Sequence, residues 1–144
     1  MAELDDNYYR LENERGHNEQ QQQNTQNEID DIDKKIQRLR TAYKTLDGQK
    51  ESIKSQKTTL KGLKDFHDYA WKGEHATAVY DSCGSGGTLS SNYQSYIDGI
   101  DGIEDSINNE IARLKNLRSE KWGILQGLVR AWNNLCAEIR NYFN

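Results

Sequence analysis

The sequence contains no proline, so the residue that most often interrupts a long helix is absent. No apolar run approaches the roughly 18–20 residues that a membrane-spanning helix needs, which predicts no membrane insertion. The acidic residues 1–6 do not resemble a secretory signal peptide. We therefore expect a cytoplasmic protein, and export by a route that needs no such peptide stays open. The two cysteines, Cys83 and Cys136, are far apart, which favours free thiols.

The residues that usually carry chemistry are also scarce. The chain has three histidines, and their spacing does not match a metal site. The glycine-rich segment 84–87 lacks the lysine and the preceding strand of a nucleotide-binding loop. The sequence therefore predicts no enzyme, with no catalytic residues, no metal and no cofactor.

A seven-residue repeat of large side chains runs through each half of the chain. The first repeat contains Ile29, Ile32, Ile36, Leu39, Tyr43, Leu46, Ile53 and Leu60, and its phase extends back to Leu11, Tyr8 and Leu4. The second contains Tyr93, Ile100, Ile107, Leu114, Leu128, Leu135 and Tyr142, with Leu125, Trp132 and Ile139 on the neighbouring line. Steps of three and four residues are typical of coiled-coil helices and not of strands.

Glycines and small polar residues at 82–90 predict a turn between the two repeats. Two helices joined by a short loop run antiparallel, so we expect an all-α fold: an elongated, coiled-coil-like antiparallel two-helix hairpin. The expected parts are a polar N-terminal helical arm (1–28), a first hairpin helix (29–81) ending in a Trp-x-Gly bend, the loop (82–90) and a second hairpin helix (91–144). A short helix is expected at 74–80.

A reversal within the glycine-rich loop sets the predicted alignment of the two helices. It places Ile53 near Arg118 and Leu46 near Leu125, and it leaves residues before about Glu28 without a partner in the chain. Residues 12–28 contain no large apolar side chain. The arm is therefore either a frayed helix, a disordered tail or a segment that awaits another molecule.

The second helix carries more apolar surface than a two-helix seam can cover. Its apolar side chains extend over about half of the helix circumference, whereas such a seam hides an arc of roughly 100°. We predict a partner-binding face formed by Trp122, Leu125, Val129, Trp132 and Cys136. The occupant is a partner protein or a second copy, unless the N-terminal arm folds back over this face.

Charge is distributed unevenly along the chain, whose formal net charge is −4. The charged residues are mostly acidic in 1–33 and mostly basic in 34–64. Residues 93–111 contain five acids and no base. This pattern favours protein partners over nucleic acid. A lysine stripe consists of Lys50, Lys54, Lys57, Lys61 and Lys64. We predict that Lys54 and Lys61 contact an acidic partner; the alternatives are a solvated flank or pairing with acids at 98–110.

One motif suggests a family. Trp71-Lys72-Gly73 follows a long polar helix and precedes a Gly/Ser loop and the segment Tyr93-x-x-Tyr96-Ile97-Asp98-Gly99. Glycine allows the chain to leave the helix with a positive φ. The arrangement resembles the WXG family of small proteins of bacterial type VII secretion, and most of all the YwqH-like branch, whose members are found beside LXG toxins.

The resemblance implies a function and a partner. It implies a targeting or chaperone-like accessory protein of a Gram-positive bacterium that binds the helical N-terminal LXG region of a toxin. A second small helical protein is a further candidate partner. Two alternatives stay open: a homo-oligomeric structural coiled coil, and a small secreted WXG-type effector. A stable homo-oligomer in solution would favour the first of these alternatives.

Overall fold

The computed structural model describes residues 6–66, 73–84 and 87–143. Helix α1 runs Asp6–Phe66, α2 runs Glu74–Cys83 and α3 runs Thr88–Tyr142. No strand occurs in these ranges. The predicted all-α hairpin is thus confirmed, and the short helix expected after the bend is present as α2. The predicted boundary at residue 28 falls inside α1, and α3 begins three residues before the predicted residue 91.

The chain divides into two compact units. Unit 1 consists of Met1–Gln37 and Ile111–Asn144, and unit 2 is Arg38–Glu110. Within each unit, part of α1 packs against part of α3. We describe each unit by itself.

In unit 1 the two helices run antiparallel with one constant alignment. The Tyr8 and Tyr142 rings lie 6.2 Å apart, and the Asp33 carboxylate accepts a 2.6 Å hydrogen bond from Arg118 Nε. Between these ends, Glu28 pairs with Lys121 at 2.6 Å. In each of these three pairs the two residue numbers add to about 150, so the alignment of the two helices is the same along the unit.

This alignment corrects the prediction by about 20 residues, because Arg118 pairs with Asp33 and does not face Ile53. The prediction assumed that the chain changes direction within the glycine-rich loop alone. The structure instead inserts the ten-residue α2 between the two long helices. The expectation that residues before about Glu28 lack a partner is therefore also wrong.

The core of unit 1 is a narrow seam at heptad spacing. Its buried apolar side chains are Leu11, Ile29, Ile32 and Ile36 on α1, and Leu114 and Ile139 on α3. In the arm the same phase continues through polar residues, of which Asn18 and Thr25 are buried. Asn18 Nδ2 donates to the Leu128 carbonyl oxygen at 2.9 Å, and Thr25 Oγ1 donates to the Gln21 carbonyl oxygen at 2.8 Å. These bonds allow polar groups to occupy the seam.

In unit 2 two glycines shape the connection between the long helices. Gly73 has a φ of 123°, a conformation that L side chains rarely adopt, which agrees with the predicted role of this glycine in the bend. Trp71, the other residue of that motif, lies outside the described residues. Gly87 lies between α2 and α3. A Cβ at this position would clash with the Asp81 carbonyl oxygen, so only glycine fits at position 87.

A charged pair occupies the seam of unit 2. Lys50 Nζ lies 2.7 Å from Glu104 Oε1 and 3.0 Å from Asp101 Oδ1, and the Glu104 side chain is only 4% exposed. Hydrogen bonds to Glu104 and then Asp101 raise the pKa of Lys50 above its ordinary value. Because folding raises the pKa of Lys50, the protonated lysine stabilises the folded state. This stabilisation is complete below the unfolded pKa of about 10.4. The contribution is lost only as pH rises through the folded pKa.

We expect Lys50→Met to lower the thermal midpoint clearly more than Lys54→Met does. The first change leaves the buried Glu104 carboxylate without its cation, whereas Lys54 is half exposed and pairs only loosely with Glu51 at 3.6 Å. The double variant Lys50→Met/Glu104→Leu should recover most of the loss. It removes a carboxylate whose Oε2 is buried and accepts no hydrogen bond within the described chain. Equal midpoints for the two lysine variants would contradict a structural role for the pair.

A candidate partner-binding face

Unit 1 presents an apolar line on one flank of α3, beside the seam. Trp122, Val129 and Cys136 are spaced seven residues apart and therefore share one side of the helix, and Phe143 follows at the same spacing just after the helix ends. Trp122 is 43% exposed and Val129 39% exposed, so the contact with α1 does not cover them. We call these four residues the α3 strip.

The strip borders two open clefts, both within unit 1. One, of about 540 Å³, has a floor of Leu125, Val129 and Trp132. Its walls are polar: Glu19, Gln22, Gln23, Gln26 and Asn133. The other, of about 320 Å³, is lined by Trp122, Leu125, Gln126, Val129 and Arg130. An apolar floor with polar walls is a surface that can take an amphipathic helix.

The N-terminal part of α1 covers a portion of this face. The Trp132 indole Nε1 donates a 3.0 Å hydrogen bond to Glu19 Oε1. The Arg15 guanidinium donates to Cys136 Sγ at 4.0 Å and pairs with Glu12 at 2.8 Å. The hydrogen bond to Cys136 is also the main cause that raises the pKa of Arg15. The alternative in which the arm folds back over the apolar face is thus partly correct.

The coverage ends before Trp122. The Arg118 guanidinium, held by Asp33, lies 6.0 Å from the Trp122 ring centroid, within cation–π range. Trp122 nevertheless keeps its outer surface open. At the opposite end of unit 1, the Tyr8 ring packs against Phe143 with centroids 5.6 Å apart.

The structure brings five of the predicted site residues together in unit 1, and the other two belong to unit 2. Trp122, Leu125, Val129, Trp132 and Cys136 all lie on this face of unit 1. Trp132 is half-buried and its indole donates a hydrogen bond to Glu19, whereas Trp122 and Val129 are exposed. Lys54 and Lys61 belong to unit 2 and do not form part of the face. Within the lysine stripe, Lys50 pairs with acids of α3 instead.

The sequence analysis missed the residues on the α1 side of the clefts. These residues belong to the arm that the sequence predicts to have no partner within the chain: Glu19, Gln22, Gln23 and Gln26. A signal was available: the heptad phase of Ile29 and Ile32 extends unbroken through the polar residues to Leu11. Because this part of the seam consists of polar residues, the pattern of apolar residues alone does not reveal it.

Two further properties of the described residues concern membrane spans and metal sites. None of the described helices has the length and apolar character to span a membrane. In the same ranges, no three His, Cys, Asp or Glu side chains are grouped so that they could hold a metal ion. The fold and the face thus define a small helical-hairpin protein with an exposed apolar strip.

Comparison with known proteins assigns this hairpin to a family. The family model described as YwqH-like matches residues 13–126, which is most of the chain. The chain therefore belongs to the YwqH-like family, as the resemblance around Trp71 and Gly73 suggested. No curated protein and no solved structure matches it.

Proposed function

We propose that this protein is a targeting or chaperone-like accessory subunit of bacterial type VII secretion. In this proposal it binds the helical N-terminal LXG region of a toxin and promotes recognition of the toxin by the secretion system. Binding takes place in the cytoplasm, before export, and the protein performs no catalysis. Membership of the YwqH-like family supports this function, since the family resemblance implies such a partner.

The observation that carries the proposal is the α3 strip with its clefts. A side chain as large as Trp122 gains roughly 1.5–3 kcal/mol when it becomes fully buried, so exposure at 43% leaves part of this gain for a partner. Tryptophans beside aliphatic side chains are common among the residues that dominate protein interfaces. A helix that lies along α3 would fill both clefts and cover Val129 at once.

The decisive experiment is co-expression with the LXG region encoded beside this protein. We expect a stable complex on gel filtration, with a mass measured by light scattering that equals the sum of its chains. The isolated protein provides the comparison. If it alone forms one stable homo-oligomer and ignores the LXG region, the structural coiled-coil alternative is correct. A monomer that ignores the LXG region also contradicts the proposal.

A further inference from the structure

The two sides of the face in unit 1 carry opposite charges. On the α1 side, Gln22 lies on the same line as Arg15, and the other cleft-wall residues lie on the lines that contain Glu19 and Gln23. Extended at seven-residue spacing, these lines contain Glu12, Asp30 and Asp33. No lysine or arginine occurs on either line between residues 9 and 37. We call Glu12, Glu19, Asp30 and Asp33 the acidic rim. Glu12 pairs with Arg15 and Asp33 pairs with Arg118, and these arginines offset part of the negative charge of the rim.

The α3 side is basic. Lys115 precedes Trp122 by seven residues, Arg130 lines the smaller cleft, and Arg140 follows the cleft residue Asn133 by seven. No aspartate or glutamate occurs between residues 115 and 143 on the lines that contain Trp122, Gln126 and Arg130. We call Lys115, Arg130 and Arg140 the basic rim. The α3 strip lies between the acidic rim and the line of Arg140, and Lys115 continues the line of the strip.

We infer that unit 1 binds a single amphipathic helix whose two edges carry opposite charges. Its apolar stripe lies on the α3 strip, its basic edge lies over the acidic rim and its acidic edge lies over the basic rim. Reversing a helix end to end exchanges its edges, so only one of the two directions matches both rims. The charge asymmetry therefore fixes the direction in which the partner helix binds. The inference rests on the proposed function for its natural partner.

A second copy of this chain is the other possible occupant. A two-fold axis parallel to the helices would also place one α3 strip on the other, with each acidic rim opposite a basic rim. Light scattering of the isolated protein at the concentration of the peptide experiment separates the two cases. A monomer agrees with the inference, and a dimer that excludes the peptides would overturn it.

Three synthetic helical peptides test the inference without the toxin. Each has about 28 residues, the length of α3 from Lys115 to Phe143 at ~1.5 Å per residue, and the same Leu/Ala stripe. The first carries Lys along one edge and Glu along the other, the second has these edges exchanged, and the third carries Glu along both. At low salt we expect the first two to bind about tenfold more tightly than the third, with a smaller difference in 1 M salt.

Binding direction is the critical measurement. A nitroxide at the peptide N-terminus broadens backbone amide signals of the full-length protein near the end where it lies. The first peptide should broaden one end of unit 1, near either Tyr9 or Ser119, and the second peptide should broaden the other end. Broadening of the same end by both peptides, or of both ends equally, would overturn the inference.

Charge reversal on the protein supplies the matched test. Asp30→Lys with Arg130→Glu should weaken the direction preference of each mixed-charge peptide, so that both ends of unit 1 are broadened, since both residues are exposed members of opposite rims. The direction is not expected to reverse, because three carboxylates of the acidic rim and two cations of the basic rim remain. Lys35→Glu with Glu120→Lys makes equal charge changes on helix lines that contribute nothing to either cleft, and the directions should stay as in the parent. A preference for one end that stays as strong in the rim variant as in the parent would contradict fixation by charge.

The two proposals fail in different ways. If no peptide binds, the face does not take a helix by itself, and the inference is wrong whatever the LXG region does. If the mixed-charge peptides bind in opposite directions and the LXG region does not bind, the face keeps its specificity and the proposed function is wrong.

Discussion

Ile29→Ala should destabilise unit 1 by about 2–5 kcal/mol, the range found when a buried isoleucine or leucine is truncated in a packed core. Ile29 is 1% exposed and lies in the seam of α1 between Thr25 and Ile32, which are also buried. Truncation therefore leaves a cavity that neighbouring side chains on two rigid helices cannot easily fill. Urea unfolding followed by circular dichroism at 222 nm measures the loss.

Ile124 offers a control in the same unit. It has the same side chain but is 51% exposed on α3, so Ile124→Ala should change the free energy of unfolding by about 0.5 kcal/mol or less. A comparable loss in both variants would mean that the seam does not dominate stability. It would also imply that Ile124 is covered in solution, for instance by self-association.

Trp122→Gln/Val129→Gln should weaken binding of the LXG region by at least ~2 kcal/mol, or about 30-fold in Kd. Both side chains stand on the α3 strip, are partly exposed and line the smaller cleft. The helix content of the isolated protein should stay nearly unchanged, because neither residue occupies the buried seam. Trp132 is kept in this variant, since its indole donates to Glu19 within the chain.

Ile124→Gln is the control for binding. It removes an apolar side chain of similar exposure from the other flank of α3, where no residue lines a cleft. Its affinity for the LXG region should match that of the parent in titration calorimetry. If the double variant also binds like the parent, the face around Trp122 is not the interface, even where a complex with the LXG region forms.

The helices were predictable from sequence because their repeats are regular. Residues such as Ile36 and Leu114 recur at steps of three and four, and this spacing decides both the helical state and the buried side. Their alignment was not predictable in the same way. A uniform repeat fits equally well after a shift of a whole number of heptads, so the choice rested on the assumed position of the turn.

The face was predicted from the excess of apolar surface on α3, and its α3 residues were correctly grouped. The contribution of α1 was missed for a specific physical reason. Asn18 and Thr25 are buried with their polar groups hydrogen-bonded to backbone carbonyl oxygens, and such compensation is not visible in residue type alone. In the lysine stripe, Lys50 pairs with Asp101 and Glu104 within unit 2, as one of the alternatives expected. The partner contacts of Lys54 and Lys61 stay a prediction.

The Lys50–Glu104 pair has a consequence for how unit 2 selects a single alignment. Apolar heptads are nearly symmetric under a translation of seven residues, so slipped states differ little in apolar burial. A shift in one direction would put Tyr43 opposite Glu104, and a shift in the other would put Lys57 there and leave Lys50 facing apolar positions. Either slip strands a charge inside the seam. The pair thus breaks the translational symmetry of the repeat, and one alignment becomes distinct in energy from its neighbours.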